Sequence, residues 1–265
     1  MLKLYHGQNS VCSQKARMAL AELDRQYESI IVNLGAGEQF KPDYMKLNPN
    51  AVVPTIDDEG KIVIESSVIM DYLNETTEGR PLMPSDPHGT ALVRAWLLRC
   101  LENDAAANSL TFGAAYRHRF LHLTPEEREA GYRRIPDPVR QAKRRDLVEN
   151  GIESRFVSDG IRNFRKLFRE MDSALSGGDW LVGNQYTLAD AALLPYVDRL
   201  NRLRLNGFWE SRHPRVAGWY ARSRARPSFK RAIDDFVPPE DAELLAKGGA
   251  AAWPEIERKL NEMKP

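Results

Sequence analysis

The beginning of the chain brings hydroxyl and thiol groups to the start of a predicted helix. An apolar, strand-like run at residues 2–5 is followed by a turn that carries Ser10 and Cys12, and a helix-like run covers residues 14–23. A helix N-terminus presents unpaired N–H donors and the positive end of the helix dipole, so it stabilises an anion such as a thiolate. A hydroxyl that donates a hydrogen bond to the thiolate lowers its pKa further. The turn therefore predicts thiolate chemistry at Ser10 or at Cys12.

Two short motifs farther along the chain also combine polar groups with a constrained backbone. Val53-Pro54 stands before a β-rich segment, and Glu65-Ser66 stands before a helix-like segment. Taken alone, each has an ordinary structural explanation, since proline often starts an edge strand and serine often caps a helix. Whether these two motifs bind a ligand or only shape the fold depends on the secondary structure around them.

The order of predicted elements divides the chain into two parts. In the first part, apolar spacing and turn residues predict strands at 2–5, 27–32, 55–57 and 61–64, and helices at 14–23, 41–47 and 66–75. Residues 79–87 are rich in Pro and Gly and predict a linker. Beyond it, helical spacing recurs at 91–110, 158–175, 189–203 and 216–225. Within that part, Thr187 and Asp190 have the spacing of a capping box, to which we assign a structural role.

This order of elements, with Ser10, Val53-Pro54 and Glu65-Ser66 at its junctions, resembles the soluble glutathione transferases. The resemblance implies an α/β thioredoxin-like domain with a mixed four-stranded sheet at residues 1–78. A linker at 79–87 and an all-helical domain at 88–265 would follow. It implies an enzyme that uses glutathione as cosubstrate and transfers it to a hydrophobic, aromatic electrophile.

The resemblance also implies roles for individual residues. Ser10 lies where the serine-type members of the family, such as the zeta class, keep the serine that activates the glutathione sulfur. Cys12 is the rival, because some branches use a cysteine in this turn, and Asn9 and Ser13 are weaker candidates. A small buried side chain is the structural alternative for Cys12. For Ser10 the alternative is a simple helix cap.

The remaining contacts to glutathione are implied in the same way. Pro54 would follow a cis peptide bond, so that the backbone of Val53 pairs with the cysteinyl unit of glutathione. Glu65 would bind the α-ammonium group and Ser66 the α-carboxylate of the γ-glutamyl unit.

Two further residues, Gln39 and Lys41, lie before the second helix, where the family reaches the glycyl end of glutathione. For both, a solvated surface role is an equal alternative.

The helical part is expected to supply the electrophile pocket, with Phe112 and Tyr116 as candidate lining residues. Residues 123–155 form an insertion with Pro125, Pro136 and Pro138 that loosely resembles the bacterial glutathione-dependent β-aryl etherases. Either Arg144 or Arg145 could then meet a developing phenolate, although solvated surface positions explain both.

Composition excludes several other classes of protein. The chain has 38 basic and 37 acidic residues among 265, so the strong basic excess of a nucleic-acid binder is absent. It has no apolar run of about 20 residues, and we expect no membrane span and no secretory signal. Two cysteines and no cluster of metal ligands fit a cytoplasmic protein without a metal.

Two alternative functions and one assembly remain open at this point. The chain could be a Cys12-dependent thiol reductase or dehydroascorbate-type enzyme, or a glutathione-binding module without catalysis. The family resemblance implies a role in detoxification and a two-fold homodimer. For the dimer contact we predict the long helix at 91–110, with Trp96, Leu97 and Leu101 as candidate interface residues.

Overall fold

The computed structural model describes residues 1–263, and it begins with a four-stranded mixed sheet. The strands are β1 (Leu2–His6), β2 (Glu28–Ile31), β3 (Thr55–Asp58) and β4 (Lys61–Ile64). Their order is β2-β1-β3-β4; β1 is parallel to β2 and antiparallel to β3, and β3 and β4 form an antiparallel hairpin. The predicted mixed sheet is confirmed.

Three helices accompany the sheet: α1 (Val11–Glu22), α2 (Pro42–Leu47) and α3 (Ser66–Glu75). Alternate side chains of β1 are buried, as expected for a strand with one face in the core. Leu4 on that face joins Ala16 and Ala19 of α1 and Ile69 of α3 in the hydrophobic core. The core therefore holds the ends of β1 and α1, and with them the turn that joins the two, in a fixed place.

The rest of the described chain is helical. Its helices are α4 (Pro87–Ala114), α5 (Pro125–Arg133), α6 (Pro138–Asn150), α7 (Arg155–Ala174), α8 (Leu188–Arg202), α9 (Pro214–Arg224), α10 (Pro227–Ala232) and α11 (Pro239–Glu262). Thus an all-helical part follows the sheet, as predicted. The proposed linker, residues 79–87, follows α3 and overlaps α4 at Pro87, and the last two residues of the proposed helical domain lie outside the described residues.

The helix α8 lies at the centre of the helical part, and nearly all of its side chains are buried. Thr187 and Asp190 form the predicted capping box at its start. Asp190 also accepts a hydrogen bond from the indole of Trp219 at 2.8 Å, which supports the structural role assigned to it. Because α8 packs against both α1 and α4, it connects the sheet to the helical part. Among residues 1–263, none of the helices has the length and apolar character needed to cross a membrane.

Candidate active site

The turn between β1 and α1 places Ser10 at the N-cap of the helix. The Ser10 Oγ accepts a hydrogen bond from the backbone N–H of Ser13 at 3.3 Å, and the side chain is partly exposed. Because that bond uses the hydroxyl oxygen as an acceptor, the hydroxyl hydrogen remains free to donate to a ligand. The cap and the predicted role as a sulfur ligand are therefore compatible.

A buried arginine of α1 supports this turn from below. Arg17 donates to the backbone oxygens of Gly7 at 3.2 Å, Gln8 at 2.9 Å and Ala232 at 2.6 Å. It also donates to His6 Nδ1 at 2.8 Å. Burial lowers the pKa of Arg17 to about 9, so the guanidinium remains charged at neutral pH. The bonds to Gly7 and Gln8 hold the backbone carbonyls of the turn, and the bond to Ala232 ties the same guanidinium to α10.

A second arginine holds the same turn from the helical side. Arg199 of α8 donates to the backbone oxygen of Asn9 at 2.5 Å and to its side-chain oxygen at 2.7 Å. The Asn9 amide in turn donates to Tyr116 Oη at 3.0 Å and to Asp241 Oδ2 at 2.9 Å. Asn9 is thus occupied in holding the turn. Neither Arg199 nor Asp241 was a candidate from the sequence.

Cys12 faces α4, and its surroundings oppose formation of a thiolate. Its Sγ donates a hydrogen bond to Asp104 Oδ1 at 2.9 Å. Burial and then the carboxylate of Asp104 raise the pKa of the Cys12 thiol. A reactive cysteine needs a lowered pKa, so this environment speaks against Cys12 as a nucleophile.

The loop before β3 presents an unpaired stretch of backbone. The Val53–Pro54 peptide bond is cis, as the resemblance implied. Tyr44 Oη and Asn48 Nδ2 both bind the carbonyl oxygen of Val52, at 2.5 and 3.0 Å, and so fix the loop. Within the described part of the chain, neither backbone group of Val53 has a hydrogen-bonding partner. Both groups are available for the predicted pairing with an extended peptide.

The start of α3 combines a strained residue with a helix N-terminus. Glu65 has a φ of 69°, which typically costs about 1–3 kcal/mol in a residue other than glycine. Its side chain is exposed, and it has no hydrogen bond or ion pair within residues 1–263. Ser66, the first residue of the helix, is buried apart from 9% of its surface. An unpaired carboxylate next to a helix N-terminus suits a ligand end that carries both charges.

A buried lysine completes this corner of the site. Lys15 of α1 is 1% exposed, and its Nζ donates to Ser66 Oγ at 3.1 Å and to Ser67 Oγ at 2.7 Å. None of the described carboxylates forms an ion pair with it. Its charge therefore lies behind Ser66, where it favours an anion at the start of α3. The only sequence signal was its place on the apolar face of α1, one turn after Cys12 and one turn before Ala19.

The structure gives little support to Lys41 as a ligand of the glycyl end. The Lys41 ammonium is exposed and forms an ion pair with Glu38 at 2.8 Å. Gln39 is different, because its side-chain oxygen is buried and has no partner within the described residues. Of these two candidates, only Gln39 has an unsatisfied polar group.

With this geometry, comparisons with known proteins give a consistent assignment. Residues 9–76 match the N-terminal domain model of glutathione S-transferases, and residues 127–222 match the C-terminal domain model. A zeta-class glutathione S-transferase of Euphorbia esula is 40% identical over 196 residues, which are 74% of each chain. The chain belongs to the glutathione S-transferase family. Glutathione is therefore its cosubstrate.

Two other relatives of the transferase carry more specific names. Protein LigF of Sphingobium is 29% identical over 88% of this chain and 93% of its own. The crystal structure of LigF, named a β-etherase, superposes with a TM-score of 0.78 at 26% identity and covers 88% and 99% of the two chains. A tetrachloro-p-hydroquinone reductive dehalogenase of Sphingobium chlorophenolicum is 28% identical over 87% and 95%.

On the helical side of the transferase, three aromatic rings form what we call the aromatic wall: Phe112, Tyr116 and Phe120. The Phe112 ring meets Tyr116 edge-on at 5.5 Å and lies 6.2 Å from Phe120. Because Tyr116 touches Asn9, the wall begins beside the turn that carries Ser10. The structure thus brings both predicted pocket residues to the candidate site.

The C-terminal helix takes part in this wall. Asp241, in the first turn of α11, accepts hydrogen bonds from Asn9 and Tyr116 and forms an ion pair with Arg119. Burial alone would raise the pKa of Asp241, but the bonds from Asn9 and Arg119 outweigh it and lower the pKa. The start of α11 is therefore a fixed part of the site.

The insertion folds as a helical hairpin, α5–α6, that reaches the sheet domain. Thr124 forms a capping box with Glu127 at the start of α5, and α6 begins at Pro138. Arg134 donates to the backbone oxygen of Gly37 at 3.2 Å, and Arg140 donates to that of Asn50 at 2.8 Å. The hairpin therefore spans the two parts of the molecule beside the candidate site.

Proposed function

We propose that the protein activates glutathione through Ser10 and transfers it to an aromatic electrophile, with β-aryl ethers as the leading substrate class. The observation that carries this proposal is the Ser10 hydroxyl, which donates to no residue in 1–263 and lies in a fixed turn next to an aromatic wall. The likeness to LigF supports the choice of an aryl ether. The site then contributes a lowered sulfur pKa and a fixed orientation of the reactants.

In the proposed reaction, the Ser10 hydroxyl donates a hydrogen bond to the glutathione thiolate. The sulfur attacks the carbon that bears the ether oxygen, so a C–S bond forms and the C–O bond breaks. The bonding electron pair leaves on the aryloxide, which takes a proton from solvent. The products are a thioether of glutathione and a phenol, with no external oxidant or reductant.

A panel of three electrophiles tests this proposal. We expect glutathione-dependent turnover of a β-aryl ether ketone, with release of the phenol, and slower turnover of an aryl halide. A mixed disulfide should not be reduced. Turnover of the aryl halide alone would reject the ether as substrate and leave the general transferase function.

The dehalogenase relative keeps the Cys12-dependent alternative worth testing. The bond from Cys12 to Asp104 and the raised thiol pKa speak against it. A Cys12→Ser variant separates the two mechanisms, because it would abolish a Cys12-dependent reduction and leave a Ser10-dependent transfer intact.

We also propose a two-fold homodimer through α3 and α4. Leu98 and Leu101 are 69% and 64% exposed, and Val68 on the adjoining helix is 55% exposed. Leu101 was a candidate, but Trp96 and Leu97 are 9% and 6% exposed, so their predicted place in the interface is wrong. They lie on the inner face of α4.

Light scattering tests the dimer. The wild type should have twice the 30.1 kDa mass of the chain, and a Leu98→Glu, Leu101→Glu double variant should lose affinity for its partner. Val139→Glu is a control at another exposed apolar residue. A wild type that remains at 30.1 kDa would reject the dimer.

A cytoplasmic role in detoxification completes the proposal. Both cysteines, Cys12 and Cys100, are free thiols, which fits a reducing compartment. Conjugation of reactive aromatics to glutathione would detoxify them. Fractionation of the native cell, followed by the transferase assay, tests the location.

A further inference from the structure

The helix α6 carries four basic residues close together, and one of them has no acceptor. Arg140 binds the backbone oxygen of Asn50, and Lys143 binds that of Ala105 at 3.0 Å. Arg145 forms an ion pair with Glu129 at 2.7 Å. Arg144 makes no hydrogen bond and no ion pair with any residue in 1–263.

The unpaired guanidinium of Arg144 lies on the aromatic wall. Its central carbon is 3.6 Å from the centre of the Phe112 ring, and the side chain is partly buried. Stacking on an aromatic face holds the guanidinium plane and leaves its N–H groups at the edge. Those donors are directed and unused, so they suit a planar oxyanion.

The position of Arg144 relative to Ser10 follows from a chain of contacts. The Phe112 ring meets Tyr116, and the hydroxyl of Tyr116 meets Asn9, the neighbour of Ser10 in the turn. One helical turn before Arg144, Arg140 reaches the loop that leads to Pro54. Arg144 therefore lies against the aromatic wall, one helical turn from a residue of α6 that contacts the glutathione domain.

The charge around Arg144 is positive. Burial and then the nearby charge of Arg140 lower the pKa of Arg144 to about 10, so it is still charged at neutral pH. With no carboxylate paired to it, an anion there would gain a charge-assisted hydrogen bond without displacing a partner.

We infer that Arg144 binds an oxyanion of the aromatic electrophile, as a residue that determines specificity. The inference rests on the proposed function and names its substrate class: an aromatic compound with a negative oxygen beyond the ring that faces Phe112. That oxygen is either a permanent carboxylate or the aryloxide that leaves during the reaction.

A pair of matched conjugates tests the permanent anion. S-(4-carboxy-2-nitrophenyl)glutathione and its carboxamide analogue have nearly the same shape and differ in charge. Calorimetry should show that the wild type binds the carboxylate more tightly, and that Arg144→Met weakens this binding roughly 10–100-fold, the range for a hydrogen bond to a charged group. Binding of the carboxamide should change less than about threefold, and Arg144→Lys should restore part of the preference.

The leaving aryloxide is tested with β-aryl ether ketones whose phenols differ in acidity. If Arg144 stabilises the aryloxide, the rate of the wild type depends weakly on phenol pKa, and the dependence becomes steeper in Arg144→Met. Arg145→Met is the control in both arms, since its guanidinium is paired with Glu129 and not with the wall.

Two outcomes would overturn the inference. One is that Arg144→Met leaves both the preference for the carboxylate and the dependence on the leaving group the same as in the wild type. The other is binding of glutathione without binding of either conjugate, together with a leaving-group dependence that Arg144→Met does not change. Both leave the proposed function standing, whereas a wild type that does not bind glutathione at all rejects the proposed function itself.

Discussion

On the glutathione side of the candidate site, the groups offered to a ligand are short and held by buried partners, whereas on the electrophile side they are long and stand on aromatic rings. The turn of Ser10 is fixed by Arg17 and Arg199, and Ser66 is backed by Lys15. Opposite them, Arg144 rests on Phe112 with its donors free.

This difference matches the two ligands. Glutathione is the same ligand in every reaction, so protein groups that are already held in the right place lose little entropy on binding it. An electrophile site can be changed by replacing one long side chain without disturbing the fold. Mutations on the glutathione side should therefore change the rate of catalysis and the affinity for glutathione. Mutations on the electrophile side should change which substrates react.

The largest effect should come from Ser10→Ala. Loss of the hydroxyl removes one donor to the developing or bound thiolate, and removal of one such donor typically lowers turnover about 100-fold or more. The pKa of bound glutathione should rise, which moves the pH–rate profile to higher pH. Absorbance titration of the thiolate measures this directly. Full activity at an unchanged thiol pKa would reject the role of Ser10.

Glutathione affinity should fall in Ser66→Ala by about 0.5–3 kcal/mol, the range for loss of a neutral or charge-assisted hydrogen bond. Lys15→Met should also weaken binding, because it removes the buried charge behind Ser66. Its folding stability should stay the same or rise, since an apolar side chain replaces a buried charge that lacks a carboxylate partner.

Calorimetry and urea unfolding of the two variants separate these effects. Lys46→Met, at an exposed lysine paired with Asp43, is the control. Wild-type glutathione affinity in Lys15→Met would show that the ammonium serves the fold and not the ligand.

Asp241→Ala tests whether the glutathione side and the electrophile side are independent. Asp241 contacts Asn9 on the glutathione side and Tyr116 on the electrophile side. We expect the KM for the electrophile to rise several-fold, up to about tenfold for loss of one or two hydrogen bonds. Glutathione affinity should change less than about twofold. Glu240→Ala, at the exposed neighbour, is the control, and an equal loss of both affinities would mean that the sides are coupled.

The smallest effect concerns stability and pH. Burial, and then Arg17, lower the pKa of His6 to about 3, whereas an unfolded histidine has a pKa near 6.5. Between these values the unfolded chain binds a proton that the folded chain does not, so stability falls as the pH falls from about 6.5 toward 3.

His6→Gln should remove this part of the pH dependence. The slope of unfolding free energy against pH should decrease by up to about 1.4 kcal/mol per pH unit, the value for one proton. Urea unfolding between pH 4 and 7 measures both proteins. Identical slopes would mean that His6 is protonated in the folded state.

The sequence predicts the glutathione side of the site better than the electrophile side, and the reason is physical. Hydrophobic spacing predicted the elements from β1 to α3, and α3 has the predicted bounds of residues 66–75. Ser10, Val53 and Ser66 were found because a turn, a proline and a helix start are local signals. The start of α1 was placed three residues too late, because the cap at Ser10 is polar and lacks apolar spacing.

Contacts between distant segments have no such signal. Lys15, Arg199 and Asp241 are charged residues within helices whose sequence gives them no special signal, and only packing shows that they support the site. Arg144 and Arg145 are neighbours with the same side chain, so sequence does not separate them. Because successive residues of an α-helix are rotated by about 100°, the side chain of Arg144 contacts Phe112 and that of Arg145 contacts Glu129.

The bond between Asn9 and Asp241 also sets when the site is complete. The two residues are 232 positions apart, which corresponds to roughly 10–50 s of synthesis on a ribosome. The sheet domain emerges early, but its active-site turn gains the support of Asp241 only after the residues up to α11 have been made. A growing chain thus carries the peptide-binding groups well before it has a finished catalytic turn.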